Sequence, residues 1–161
     1  MLFSNLETLS LYTFDKDNKE HLQFVKELFF DESIKKWVQG VSDGLLRNDK
    51  KEFFGHGFLV KHNNEFIGYI GISNYIKEEA SVYLRAAISK NKRGLKYGET
   101  LFSEITDYIF QKYYEVENIR LKIAPDNKAS MMTARACNYT LLGNDLYIKY
   151  NPYIKDGKKM V

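Results

Sequence analysis

Residues 88–98 read Ile-Ser-Lys-Asn-Lys-Arg-Gly-Leu-Lys-Tyr-Gly, a basic stretch lying between an apolar, strand-like segment and an amphipathic, helix-like one. A loop that enters a helix leaves the first backbone N–H groups unpaired and gathers about half a positive charge there, which is the chemistry that holds phosphate. Gly94 and Gly98 let the backbone approach such an anion closely. Taken alone, two glycines and a few lysines between a strand and a helix serve equally as a plain connection. A second stretch, residues 124–130, reads Ala-Pro-Asp-Asn-Lys-Ala-Ser. Its Asn127 and Ser130 stand as a helix cap and a first-turn hydroxyl, roles those residue types fill in any protein.

Other reactive side chains are sparse. His56 and His62 share a strand face by parity, but His21 falls on a different element, so no third ligand converges and no metal site is read. Cys137, the only cysteine, sits near a helix end and reads as a small core residue rather than a nucleophile.

The elements around these stretches follow from hydrophobic period. Residues 6–13 alternate loosely and form a first strand, with Leu9, Leu11 and Thr13 on one side. Asp17 and Glu20 have capping-box spacing ahead of a helix to Phe30 carrying Leu22, Val25, Leu28 and Phe29. Asp31 or Ser33 caps a short second helix with Ile34, Trp37, Val38 and Val41 on one face, closed by Gly44. Trp37 reads as core, with a role beside the acceptor as the alternative. Residues 57–61, 65–73 and 80–88 then make an antiparallel meander around an Asn63–Asn64 turn, with Gly68 and Gly71 marking a bulge or a close backbone approach. A long amphipathic helix spans 97–114, a strand 118–124, a helix from Asp126 or Asn127 to about Asn138, and closing strands 139–142 and 146–150. The expected order is βααβββαβαββ in a single mixed α/β domain.

At this spacing and in this order, the two stretches resemble the acetyl-coenzyme-A signature of the GNAT superfamily of N-acetyltransferases. Ile88, Arg93, Gly94 and Gly98 match its cofactor loop, and Asn127 and Ser130 match its Asn-x-x-Ser. The Ala-Pro-x-Asn-x-Ala-Ser wording is similar to the RimJ/RimL-type branch. The resemblance implies a sheet splayed between the fourth and fifth strands and acetyl-coenzyme A held there by Ala86, Ile88, Arg93, Gly94, Leu95, Lys96, Tyr97, Gly98, Asn127 and Ser130. A primary amine, on a peptide N-terminus or a small molecule, then attacks the thioester directly. Three positions depart from the pattern. Lys96 replaces the loop's middle glycine, Asn138–Tyr139 replaces Gly–Phe, and Ala134 stands where many members carry a tyrosine taken as the general acid.

The amine must lose a proton and the leaving thiolate must gain one. By the resemblance, backbone N–H groups near residues 86–88 face the oxyanion, and Tyr83 and Ser130 are the candidate catalytic hydroxyls. A wall of the acceptor cleft is the alternative for Tyr83, and a helix-turn hydroxyl for Ser130. Glu78 and Glu79 read as a solvated acidic turn, with action through water as the alternative. The missing tyrosine and Lys96 also motivate a second class of function, a GNAT-fold module that binds coenzyme A or a partner protein without turnover.

Composition bounds the rest. The 161 residues suit one core, and 44% hydrophobic with 15% aromatic residues is enough apolar area to fold without disulfide or metal. A net charge of +3, with 24 basic residues scattered among 21 acidic ones, groups no basic face for nucleic acid. No apolar run approaches a membrane span and no basic leader precedes the N-terminal apolar positions, so the expected place is the cytoplasm, as a monomer or a homodimer.

Overall fold

The computed structural model describes residues 2–30, 32, 53–155 and 158–159. Its centre is an eight-stranded, mostly antiparallel sheet in the order β1-β2-β3-β4-β5-β6-β8-β7. These strands are β1 Leu2–Asn5, β2 Ser10–Tyr12, β3 His56–His62, β4 Glu65–Ile72, β5 Ser81–Ile88, β6 Asn118–Lys122, β7 Thr140–Leu141 and β8 Leu146–Tyr150. A separate pair joins β9 Ile154–Lys155 to β10 Lys158–Lys159. The helices are α1 Lys19–Phe30, α2 Tyr97–Lys112 and α3 Lys128–Ala136. The expected second helix, with Trp37, lies outside the described residues.

The single N-terminal strand expected over residues 6–13 is instead a hairpin. Leu6 N–H donates to Leu9 C=O at 2.9 Å, reversing the chain between β1 and β2. The turn is anchored from α2, where the Glu104 carboxylate accepts from the N–H groups of Thr8 and Leu9. Alternation alone misses this, because Leu6, Leu9 and Leu11 are all buried whichever way the chain runs. The cap of α1 also differs from expectation. Asn18, not Asp17, accepts from the N–H groups of Glu20 and His21, at 2.9 and 3.1 Å. The meander is as expected, and Asn63 and Asn64 take φ of 48° and 67° at its first turn, which Asn tolerates. Its bulge falls at Ile67, unpaired between Val60↔Gly68 and Lys61↔Phe66. A Cβ on Gly68 would lie 2.3 Å from the Ala87 carbonyl oxygen, so only glycine lets β4 and β5 pack this closely.

Opposite faces of the sheet bury different helices. Leu101, Ile105 and Ile109 of α2, four residues apart, are fully buried against Phe58, Ile70, Val82, Ile119 and Leu121. Truncating such a side chain to alanine costs about 2–5 kcal/mol. On the other face, Phe24 and Leu28 of α1 pack with Leu59, Phe66, Tyr69 and Ala87. Tyr69 lies across the sheet where a Cβ on Gly57 or Gly71 would sit 2.5 or 2.6 Å from its hydroxyl oxygen, and burial pushes its phenol up to about 12. Among the described residues no helix is long and apolar enough to cross a membrane.

His21 ties α1 to the chain before it. Its ring is 3% exposed, meets Phe66 edge-on, and accepts the Asp15 N–H at Nδ1 over 2.9 Å. Burial lowers its pKa below the usual 6.5, and a proton on Nδ1 would break that hydrogen bond. The unfolded chain therefore binds more protons than the folded one below about pH 6.5, and stability falls as pH drops through that value. Denaturant unfolding at pH 7.5 and pH 5.5 should show this loss, and His21→Gln should reduce it. A slope unchanged in the variant would assign the titration to other groups.

Candidate functional site

One strand pair stops early. β5 pairs with β4 from Gly68↔Ile88 to Ile72↔Leu84, but with β6 only through Ser81↔Asn118, Val82↔Ile119 and Tyr83↔Arg120, in parallel. Beyond Tyr83 the β6-facing backbone of β5 has no strand partner, and the two strands diverge. Into this gap opens a cavity of about 500 Å³ lined by Ala86, Ala87 and Ile88 of β5, by Lys92, Arg93, Gly94 and Lys96 of the loop, by the start of α2, and by Asn127, Ser130 and Thr133 at α3.

The loop is shaped by two left-handed residues. After the turn Lys90–Lys92, Gly94 has φ 78° and Lys96 has φ 62°, ψ 21°. Lys96 thus adopts the conformation a glycine supplies more cheaply, at a cost on the order of 1 kcal/mol. Its residue type departs from the expected glycine, while its backbone takes a conformation that glycine favours. No side chain caps α2, and its first intrahelical bond runs from Thr100 N–H to Lys96 C=O. The N–H groups of Tyr97, Gly98 and Glu99 precede that bond and start a 16-residue helix at the cavity. A Cβ on Gly98 would approach nothing closer than Thr133 Cγ2 at 3.7 Å, so the glycine keeps space open without being needed for packing.

Neighbouring elements hold the loop in place. Lys92 pairs with Glu65 at 2.8 Å, the Tyr97 hydroxyl lies 3.1 Å from His62 Nδ1, and Arg93 Nε donates to the Ile88 carbonyl at 3.2 Å. Ser89 donates through both N–H and hydroxyl to the carbonyl of Ile67, the bulge residue. His56 and His62 join no cluster able to hold a metal among the described residues.

On α3, the Asn127 side chain accepts from Ser130 N–H at 3.3 Å as the helix cap. Ser130 lines the cavity, and its hydroxyl has no hydrogen-bond partner among the described residues, whereas Thr133 spends its proton on the Ala129 carbonyl at 3.1 Å. Ala134 is fully buried in the core and brings no hydroxyl to the cavity. Asn138 has φ 65°, the left-handed ending that glycine provides in the family pattern. Cys137 is 3% exposed, donates to the Glu99 carbonyl and accepts from Ser103, and burial pushes its thiol up.

Two expected residues stand apart from the cavity. Leu95 points away, 61% exposed. Tyr83 lies at the vertex of the gap, outside the cavity lining, with its hydroxyl donating to Glu79 at 3.1 Å. Glu79 in turn pairs with Arg120, so it is not the freely solvated acid of the expected acidic turn. The reading from sequence missed Lys92, Glu99, Phe102, Ala129, Met132 and Thr133 as lining residues. Helical spacing could have found two of them, since Phe102 follows Gly98 by four residues and Thr133 follows Ser130 by three.

Residues 5–140 match the acetyltransferase (GNAT) domain family. No curated protein sequence matches the chain. Among solved structures, a GNAT-family acetyltransferase from Bacillus anthracis shares 15% identity over 94% of this chain and 99% of its own, with a TM-score of 0.73. The RimL ribosomal L7/L12 alpha-N-protein acetyltransferase in complex with coenzyme A shares 18% over 93% and 98%, at 0.66. The spermidine N-acetyltransferase from Vibrio cholerae in complex with coenzyme A and spermine shares 15% over 89% and 96%, at 0.68. At these identities the structural likeness is one of fold, and the family assignment rests on the match over most of the chain. This chain belongs to the acetyltransferase (GNAT) domain family and is an acetyl-coenzyme-A-dependent N-acetyltransferase.

Proposed function

We propose that the chain acetylates a primary amine, on a peptide N-terminus or a polyamine-like small molecule, by direct attack with both substrates bound. The observation that carries this reading is the uncapped start of α2 opening on a cavity at the point where β5 leaves β6. The residues present fit the cofactor. The N–H groups from Gly94 to Gly98 would hold its pyrophosphate, with Arg93 and Lys96 adding positive charge. The bare face of Gly98 leaves room for close approach. Ala86 and Ile88 would align the pantetheine arm and offer N–H groups to the oxyanion, while Asn127 and Ser130 close the opposite side.

Bound acetyl-coenzyme A supplies an activated acetyl thioester. Ser130, whose hydroxyl is uncommitted within the described residues, would donate a proton to the departing thiolate. Tyr83, on the same β5 face as Ala87, would face the amine from the other side of the gap. The left-handed Lys96 supports cofactor binding, since the loop takes the positive φ that a glycine would supply. The burial of Cys137 argues against an acetyl-cysteine intermediate. A lone cysteine without a disulfide partner also supports a reducing compartment such as the cytoplasm.

Acetyl-coenzyme A should raise the melting temperature by mass action, and Gly98→Val should fold yet weaken its binding at least tenfold, about 1.4 kcal/mol, in calorimetry. Unchanged affinity in the folded variant would move the phosphate site elsewhere. Ser130→Ala should lower kcat by roughly 10²-fold with cofactor affinity little changed. Cys137→Ala should keep turnover within a few-fold and leave no acetylated protein in mass spectrometry. An acetylated Cys137 in the wild-type chain, with loss of activity in that variant, would overturn direct transfer.

A further inference from the structure

Three contacts tie the loop that enters α2 to the β3–β4 hairpin, and they fall at its start, middle and end. Ser89 gives its N–H and its hydroxyl proton to the Ile67 carbonyl at 2.9 and 3.2 Å. Lys92 Nζ lies 2.8 Å from Glu65 Oε1. The Tyr97 hydroxyl lies 3.1 Å from His62 Nδ1, with 5.2 Å between the two ring centroids. His62 and Glu65 face each other as the last cross-strand pair before the turn, which Asn63 and Asn64 close with left-handed backbones. Both side chains therefore leave one tight hairpin end.

What they hold is a wall of the cavity. Lys92 and Tyr97 line it, and Tyr97 is the first residue of α2, so its placement sets where the unpaired N–H groups of the first turn point. Between these two anchors the chain passes through left-handed Gly94 and Lys96, and a Cβ on Gly94 would meet nothing within 4 Å. Such a stretch has many conformations open to it unless its ends are fixed, and an anion that had to order it on arrival would bind more weakly. The anchors differ in weight. The Glu65 side chain is 59% exposed, and an ion pair so open to water contributes little. The His62–Tyr97 bond is partly buried and forms in either imidazole tautomer, because Nδ1 can accept the phenol proton or donate to the phenol oxygen. We propose that His62 is a positioning residue for the cofactor: through Tyr97 it holds the start of α2 in the shape that meets the pyrophosphate, and Glu65 assists through Lys92. This inference rests on the reading of the cavity as the coenzyme A site.

The test is calorimetric titration of coenzyme A into the full chain, with the melting temperature of the unliganded protein as the check on folding. His62→Leu should raise the dissociation constant at least fivefold, about 1 kcal/mol. His62→Asn, whose amide offers a donor and an acceptor near the place of Nδ1, should stay within about twofold of wild type. In a Tyr97→Phe background, His62→Leu should cost no further affinity, since the bond is already gone. A histidine serving only the stability of the hairpin would not be rescued by asparagine and would lose affinity equally in both backgrounds. Either of those results overturns the proposal, as does wild-type affinity in His62→Leu. Should His62→Leu fail to fold, Tyr97→Phe alone breaks the same bond from the other side, and unchanged affinity there overturns the proposal. Glu65→Gln should weaken binding by a smaller factor than His62→Leu, and tighter binding would show that the pair withholds Lys92 from phosphate, overturning the assistance given to Glu65. A wild-type chain that binds no coenzyme A overturns the cofactor reading itself, whereas wild-type binding with unaffected variants overturns this inference alone.

Discussion

The hydrogen bonds that β5 does not make govern most of this structure. A strand in the middle of a sheet normally spends backbone groups on both neighbours, and unpaired buried ones are costly. β5 is fully engaged with β4, yet it leaves β6 after three residue pairs. Past Tyr83 the β6-facing edge of β5 has no strand partner, and the cavity lies beside it. The departure needs support from both sides. The start of α2 and α3 line the cavity beside β5, and the Glu79–Arg120 pair with its Asn118 brace ties the chain before β5 to β6.

A second constraint is close approach. Gly68 lets β4 touch the Ala87 carbonyl, and the bulge at Ile67 beside it frees a carbonyl that takes both Ser89 bonds. Sheet irregularity, loop anchoring and helix start thus form a continuous chain of contacts from the meander to the loop that enters α2. The Lys92–Glu65 pair and the His62–Tyr97 contact extend it to the β3–β4 hairpin. Interruptions that weaken an isolated strand position the loop here.

Much of this was legible in the sequence where the physics is local. Leu101, Ile105 and Ile109 announce α2 by spacing, the Asn63–Asn64 turn announces its hairpin, and Gly94 announces a left-handed turn in the loop that enters α2. Long-range partners were not legible. The capping role of Asn18 over Asp17 depends on a one-residue choice of helix start, and the hairpin at Leu6–Leu9 depends on Glu104, nearly a hundred residues away. Glu79 reads as a solvated turn because Arg120 is distant in the chain. Lys96 looked like a departure because residue type, not backbone conformation, is what a sequence prints, and Leu95 was carried along with a loop whose neighbours turn inward while it does not.

Each turnover releases a free thiol into a chain with a single cysteine. Thiol–disulfide exchange and oxidative capping require an accessible thiolate. Cys137 is sealed beneath α2 and α3, protonated more firmly than an ordinary cysteine, and held between a hydroxyl and a carbonyl. Its burial therefore does more than fill space under the helices. It makes the enzyme chemically inert toward its own product, so that accumulated coenzyme A, even when part of the pool is oxidised, finds no sulfur on the folded protein to which it can become attached.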